Sequence, residues 1–160
     1  MKQETIVQFV CFTTDLGMEE FAPELESRTG QFKNSNTKTM LYRMVTGNKN
    51  SFSYISKFEW PENEFQFVFK NDGRSGRFSE HRARALQIGG YKNIQQKKQY
   101  NKKDNDVTII AFIHHHETNI AFYEELPFYS KLNIHQAYYE NCTYGYVIEF
   151  FVQEENADAL

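Results

Sequence analysis

Two similar apolar segments, one in each half of the chain, place the strongest constraint on the fold. TIVQFVCF begins at Thr5 and TIIAFIHH begins at Thr108, and both have apolar residues on both alternations, as in a strand that is covered on both faces. Each is followed by an acidic stretch with helical spacing and then by two strand-like runs. The sequence therefore predicts two β-α-β-β units, residues 4–60 and 106–154, within a single domain of residues 1–160.

The later strands of each unit are predicted to pair as hairpins. Runs at 37–46 and 51–60 flank TGNKN, and NIHQAYYE is joined to YGYVIEFFVQ by NCTYG. Two such units with a helix between them resemble the ferredoxin-like and dimeric α+β barrel group, and also the gyrase-inhibitor-like small-molecule-binding domains. This resemblance implies an α+β fold in which a mainly antiparallel sheet carries helices on one face. It also implies that a partner chain closes the other face or that a ligand cleft forms between the units.

The segment between the two units, residues 64–103, is basic although the chain as a whole carries a net charge of −3. Residues 70–103 hold ten Lys and Arg against Asp72 and Glu80. We predict a short strand at 64–71, a turn at NDGRSG, and a helix that follows Ser79 and ends at Gly89-Gly90. The stretch after these glycines fits either an exposed edge strand or a loop.

A solvated surface is the simplest interpretation of this basic segment. The alternative is anion binding, since glycines before a helix together with guanidinium groups can hold phosphate. The candidate anion-binding residues are Arg74, Arg77, Arg82 and Arg84. Single-stranded nucleic acid is a related alternative, although the segment has no recognised nucleic-acid-binding motif.

Three of the five histidines stand together at positions 114–116. On a strand, His114 and His116 would share one face and could offer two imidazoles to a divalent metal, with a third ligand from His135, Glu117 or Glu149. Closure of the strand end by hydrogen bonds is the preferred interpretation, and metal binding is the alternative. A third possibility is acid-base work in a cleft, because an ordinary histidine titrates near neutral pH.

Glu149 interrupts the apolar run YVIEFFV, where a charge is costly unless it is paired. It could hold a cationic ligand or orient a histidine, and tyrosines could form aromatic walls around that ligand. The simpler expectation is that Glu149 faces solvent or an arginine such as Arg43. The candidate ligand-binding residues are Glu149, Tyr138, Tyr144 and Tyr146, with His114, His116 and Glu149 as candidate catalytic groups.

The sequence favours a domain that binds a small organic ligand in an aromatic cleft, as a homodimer and without a cofactor. The domain could also be a cofactor-free enzyme, a nucleic-acid or phosphate binder through residues 70–103, or an interaction module. In the last case the basic segment would meet the acidic helix at residues 19–26 of another copy. The two cysteines show no disulfide or zinc spacing, and no signal peptide or membrane span is evident, so we expect a cytoplasmic protein.

Overall fold

A computed structural model describes residues 4–17, 19–23, 38–43, 52–63, 83–99 and 106–153. Strands dominate these residues and are, in chain order, β1 (Thr5–Thr14), β2 (Lys38–Arg43), β3 (Tyr54–Pro61), β4 (Ala83–Lys98), β5 (Asp106–Ile113), β6 (Tyr129–Ala137) and β7 (Tyr146–Gln153). Among the described residues, helix occurs at 19–23, at 62–63 and at Ala121–Glu124. None of the described helices has the length and apolar character needed to cross a membrane.

The expected α+β fold with helices on one face of the sheet is wrong, because strands replace helix at two predicted places. In the helix predicted after Ser79, the described residues belong to the 16-residue strand β4, which begins at Ala83 and passes through both glycines. Gly89 has a φ of 132°, a conformation that favours glycine. In the acidic stretch that follows TIIAFIHH, the helix contains only Ala121–Glu124. Strand β6 begins at Tyr129, since burial of its apolar side chains outweighs the helical spacing.

The chain divides into two compact units, Met1–Gly90 and Tyr91–Leu160, and their boundary falls within the basic segment. In the first unit β3 pairs antiparallel with both β1 and β2, which confirms the predicted hairpin. Strand β1 is buried on both faces along most of its length, as its sequence predicted. The Tyr54 ring stacks on Phe21, and the Trp60 indole N–H donates to Gln8 Oε1 at 2.8 Å.

In the second unit β4 pairs with β6, β6 with β7 and β7 with β5, all antiparallel. The predicted hairpin of the last two strands is confirmed. Both units therefore share one pattern, in which the third strand of the β-α-β-β sequence lies between the first and the second. The two similar apolar segments thus form equivalent strands, β1 in the first unit and β5 in the second.

One face of the second unit forms its apolar core. The fully buried members of this core cluster are Tyr129, Leu132, Ile134, Ile148, Phe150 and Val152. The segment that connects β5 to β6 covers them with Ile120, Tyr123 and Leu126. Because side chains alternate along a strand, residues 133, 135, 147, 149 and 151 lie on the opposite face.

Candidate functional site

Polar side chains are concentrated on the face of β6 and β7 that lies opposite the apolar core. Asn133 is the direct cross-strand partner of Glu149, and His135 is the partner of Val147. Antiparallel partners project to the same face, so Asn133, His135 and Glu149 lie side by side there. All three are buried, with exposed fractions of 6%, 2% and 0%. We call these three residues the polar triad.

A short ion pair links two members of the triad. His135 Nε2 lies 2.6 Å from Glu149 Oε1, and the two side chains are 3% and 0% exposed. A buried carboxylate is strongly destabilising unless it accepts hydrogen bonds from an opposing group, and the imidazole supplies one. Glu149 therefore does not face solvent, contrary to the simpler expectation, and His135 is the histidine that it orients.

The third member of the triad contributes an acceptor that the protein does not use. Among the described residues, no donor forms a hydrogen bond with the buried Asn133 Oδ1. Buried polar atoms in native proteins nearly always have a hydrogen-bond partner, and a buried acceptor without one lowers the stability by about 1–3 kcal/mol. This acceptor lies directly across from Glu149, so the polar triad combines the His135–Glu149 pair with an amide oxygen that no described residue satisfies.

Apolar side chains surround the triad on the same face. Val147 and Phe151 lie on either side of Glu149 along β7, and the register places Ile110 and Phe112 of β5 beside Glu149 and Val147. Such an environment, mostly apolar with a few converging polar groups, is typical of small-molecule sites.

The burial of this face decreases toward β4. Asn93 is the partner of His135 and Gln96 is the partner of Asn133, and both β4 residues are exposed. The polar triad therefore lies beside a solvent-accessible strand.

The histidine triplet lies beyond the end of β5, so the strand geometry that the metal alternative required is not formed. Strand β5 ends at Ile113, and residues 114–116 follow in an exposed turn. His115 Nε2 donates to Cys142 O at 2.9 Å, and the His114 ring centroid lies 6.0 Å from that of Tyr144. The turn is closely packed, because a Cβ on Gly145 would lie 2.8 Å from His115 Cα.

The structure does not assemble the metal site considered from the sequence. His114 and His116 are exposed, whereas His135 is buried beside Glu149. Within the described part of the chain, no three His, Cys, Asp or Glu side chains form a group that could hold a metal ion.

The candidate tyrosines do not converge on Glu149. Tyr144 stacks on Phe112 with ring centroids 5.0 Å apart, and its carbonyl oxygen accepts a 2.8 Å hydrogen bond from the Tyr91 hydroxyl. Tyr138 is 38% exposed, with Lys92 Nζ lying 3.9 Å from its ring centroid. Tyr146 packs against the apolar core cluster on the opposite face. Of the four predicted ligand-binding residues, the structure places Glu149 in the polar triad and Tyr144 against its apolar border.

The anion-binding alternative falls mostly outside the described residues. Three of the candidate arginines lie outside the described residues, namely Arg74, Arg77 and Arg82. The fourth, Arg84, lies in β4 at a position whose side chain is not described. The described basic residues of the segment lie on β4, where Lys97 Nζ donates to Glu124 O at 3.2 Å.

Sequence reasoning missed Asn133, although the signal was present. Asn133 and His135 occupy alternate positions of NIHQ, so a strand must place them on one face. Pairing that strand with YVIEFFV would have brought them to Glu149.

Comparison with protein-family models and with curated proteins finds no match to this chain.

Proposed function

We propose that the second unit binds a small organic molecule on the face that carries the polar triad. The observation that carries this proposal is the buried Asn133 Oδ1, which accepts no hydrogen bond from any described residue. An unused acceptor beside a buried ion pair opposes folding, and such violations of local rules concentrate at functional sites. A ligand donor at this oxygen would remove the penalty.

The chemistry of the face defines the class of ligand. Glu149 Oε1 already accepts from His135, so the acceptor that a ligand would satisfy is the amide oxygen of Asn133. The complementary group is an N–H or O–H donor such as an amine, amide or hydroxyl. Val147, Phe151 and Phe112 then suit an aliphatic or aromatic ligand body.

The His135–Glu149 pair gives this binding site its rigidity and its polarity. A charge-assisted hydrogen bond of 2.6 Å fixes both side chains across the two strands. A ligand therefore meets a preorganised surface and loses less free energy to ordering side chains than it would at a flexible one. We place the ligand donor against Asn133 and the ligand body over the neighbouring apolar residues.

The proposal is tested by measuring the thermal stability of the protein with matched pairs of small compounds. Each pair contains a primary amide, amine or alcohol and its methylated analogue, which lacks the donor. The donor-bearing compound should raise the midpoint of unfolding of the wild-type protein, because a ligand that binds only the folded state stabilises it. Asn133→Leu should abolish that difference.

Gln136→Leu is the matched control. Gln136 is an exposed amide residue on the same strand and lies on the opposite face from Asn133. This variant should retain the response to donor-bearing compounds. Equal responses to both members of every pair, or the same responses in Asn133→Leu and the wild type, would contradict the proposal.

We also propose that the protein acts in a reducing compartment such as the cytoplasm. Cys11 and Cys142 are both buried, and neither forms a disulfide. Buried thiols of this kind behave as small apolar side chains, and their retention as thiols is expected where disulfides do not form.

A further inference from the structure

Strand β5 forms the outer edge of the second unit. Among the described strands it pairs with β7 alone, without any register shift. Residues 107–113, VTIIAFI, contain no charge, proline or glycine, and their side chains are half-buried. Natural sheet edges usually carry charges, prolines or bulges that prevent pairing with another chain. Residues 107–113 of β5 have none of these devices.

The hydrogen bonds of β6 and β7 show which backbone groups of β5 point outward. Gly145 O accepts from Ala137 N of β6, whereas Gly145 N donates to Ile113 O of β5. Since the C=O of one residue and the N–H of the next point in opposite directions, residues 147, 149 and 151 direct their backbone groups to β6. The even-numbered residues of β7 then direct theirs to β5. They meet Ile109, Ala111 and Ile113, which leaves the N–H and C=O groups of residues 108, 110 and 112 at the outer edge.

We propose that β5 pairs antiparallel with β5 of a second copy of this chain, with Ile110 opposite Ile110 across a twofold axis. This register matches outward-facing residues with outward-facing residues, since 108 meets 112 and 110 meets 110. It also pairs all seven residues from 107 to 113. An isologous interface of this kind closes as a dimer and leaves no free edge on β5.

The charges at the two ends of the strand favour the same register. It places position 106, an aspartate, opposite position 114 of the second copy, a histidine. The twofold axis generates this pair twice, and opposite-charge or hydrogen-bonding cross-strand pairs stabilise an antiparallel sheet. A shift by one residue would oppose outward-facing with inward-facing groups, and a shift by two residues would pair only residues 107–111 or only residues 109–113.

Disulfide trapping tests the register. In the proposed dimer, position 110 is the one that meets itself, at a Cα separation of about 5.5 Å, which a disulfide can span. Ile110→Cys should therefore form a covalent dimer under mild oxidation, detected on a non-reducing gel. Thr108→Cys is the matched control, because its two copies would lie about 13 Å apart along the strands. The native cysteines are both buried and should give no background.

Sedimentation velocity over a range of concentrations tests the dimer itself. The wild type should be dimeric, and Ile110→Pro should weaken dimerisation roughly a hundredfold, because it removes two symmetric hydrogen bonds. An edge strand tolerates proline where its N–H faces outward, so the variant should keep the wild-type circular dichroism spectrum. A monomeric wild type, a dimer unaffected by Ile110→Pro, or faster trapping through position 108 than through position 110 would overturn the proposal.

Discussion

Replacement of Glu149 by leucine should destabilise the protein through the histidine that it leaves behind. The substitution removes the acceptor 2.6 Å from His135 Nε2, while the imidazole stays 2% exposed and loses its charge-assisted hydrogen bond. Breaking a buried ion pair from one side costs about 3–5 kcal/mol. For a chain of this size that cost lowers the midpoint of thermal unfolding by about 6–20 °C.

The assay is a double-mutant cycle measured by urea denaturation. Glu149→Leu alone should lose about 3–5 kcal/mol of unfolding free energy, whereas Glu149→Leu with His135→Phe should return to within about 1 kcal/mol of the wild type or exceed it. The recovery arises because the apolar pair needs no hydrogen bond on this face. Glu140→Leu, at an exposed position, should change the stability by less than about 0.5 kcal/mol.

Two results would refute the reasoning. If Glu149→Leu were as stable as the wild type, the carboxylate could not be buried against His135. If the double variant were no more stable than Glu149→Leu, the loss of unfolding free energy would arise from the lost packing of Glu149. It would then not arise from the His135 imidazole that has lost its hydrogen bond. Equal urea slopes in all variants are the check that the denatured states are comparable.

Three further predictions concern other parts of the molecule. Gly145→Ala should destabilise the turn by about 1–3 kcal/mol, because the new Cβ would lie 2.8 Å from His115 Cα, and calorimetry should record the loss. Gln8→Leu should cost about 1–3 kcal/mol in urea denaturation, because it leaves the buried Trp60 indole N–H without the acceptor now 2.8 Å away. Burial raises the pKa of Cys11 from 9.0 to about 12, so the folded state disfavours the thiolate and stability should fall as pH rises between these values. Cys11→Ala should show a shallower loss over that range, as measured by chemical denaturation at each pH.

The two hairpins could be predicted from the sequence because both halves carry strong local signals. Alternating apolar residues and the TGNKN turn identify β2 and β3, and the pairing of β6 with β7 follows from NCTYG. The repeated apolar segments identified β1 and β5 as equivalent strands. These signals depend on neighbouring residues, so they do not require knowledge of the tertiary structure.

The helices were overestimated because helical spacing and capping residues are weak evidence when a sheet offers more burial. Ser79 and Gly89-Gly90 satisfied the rules for helix ends, yet Ile88 and Tyr91 are buried within β4, at 1% and 0% exposure. Register is a tertiary property that the local pattern does not contain. The pairing of β4 with β6 therefore could not be derived from the segment itself.

The sequence predicted only part of the candidate site, because the register that brings its residues together is a tertiary property. Glu149 was conspicuous because it broke an apolar run, and its possible role in orienting a histidine was foreseen. The histidine triplet is the stronger sequence signal, yet it lies exposed beyond the end of β5, whereas the single His135 is buried beside Glu149. Asn133 became visible only when the β6–β7 register placed it across from Glu149.

The most direct measurement for the central claim is the unfolding free energy of Asn133→Leu, compared with that of wild-type protein refolded from denaturant to remove any bound ligand. The account predicts that the variant is more stable by about 1–3 kcal/mol, because leucine removes a buried acceptor that the protein leaves unsatisfied. A variant less stable than the wild type would show that Asn133 has a structural partner. That result would contradict the proposal that its amide oxygen is kept for a ligand.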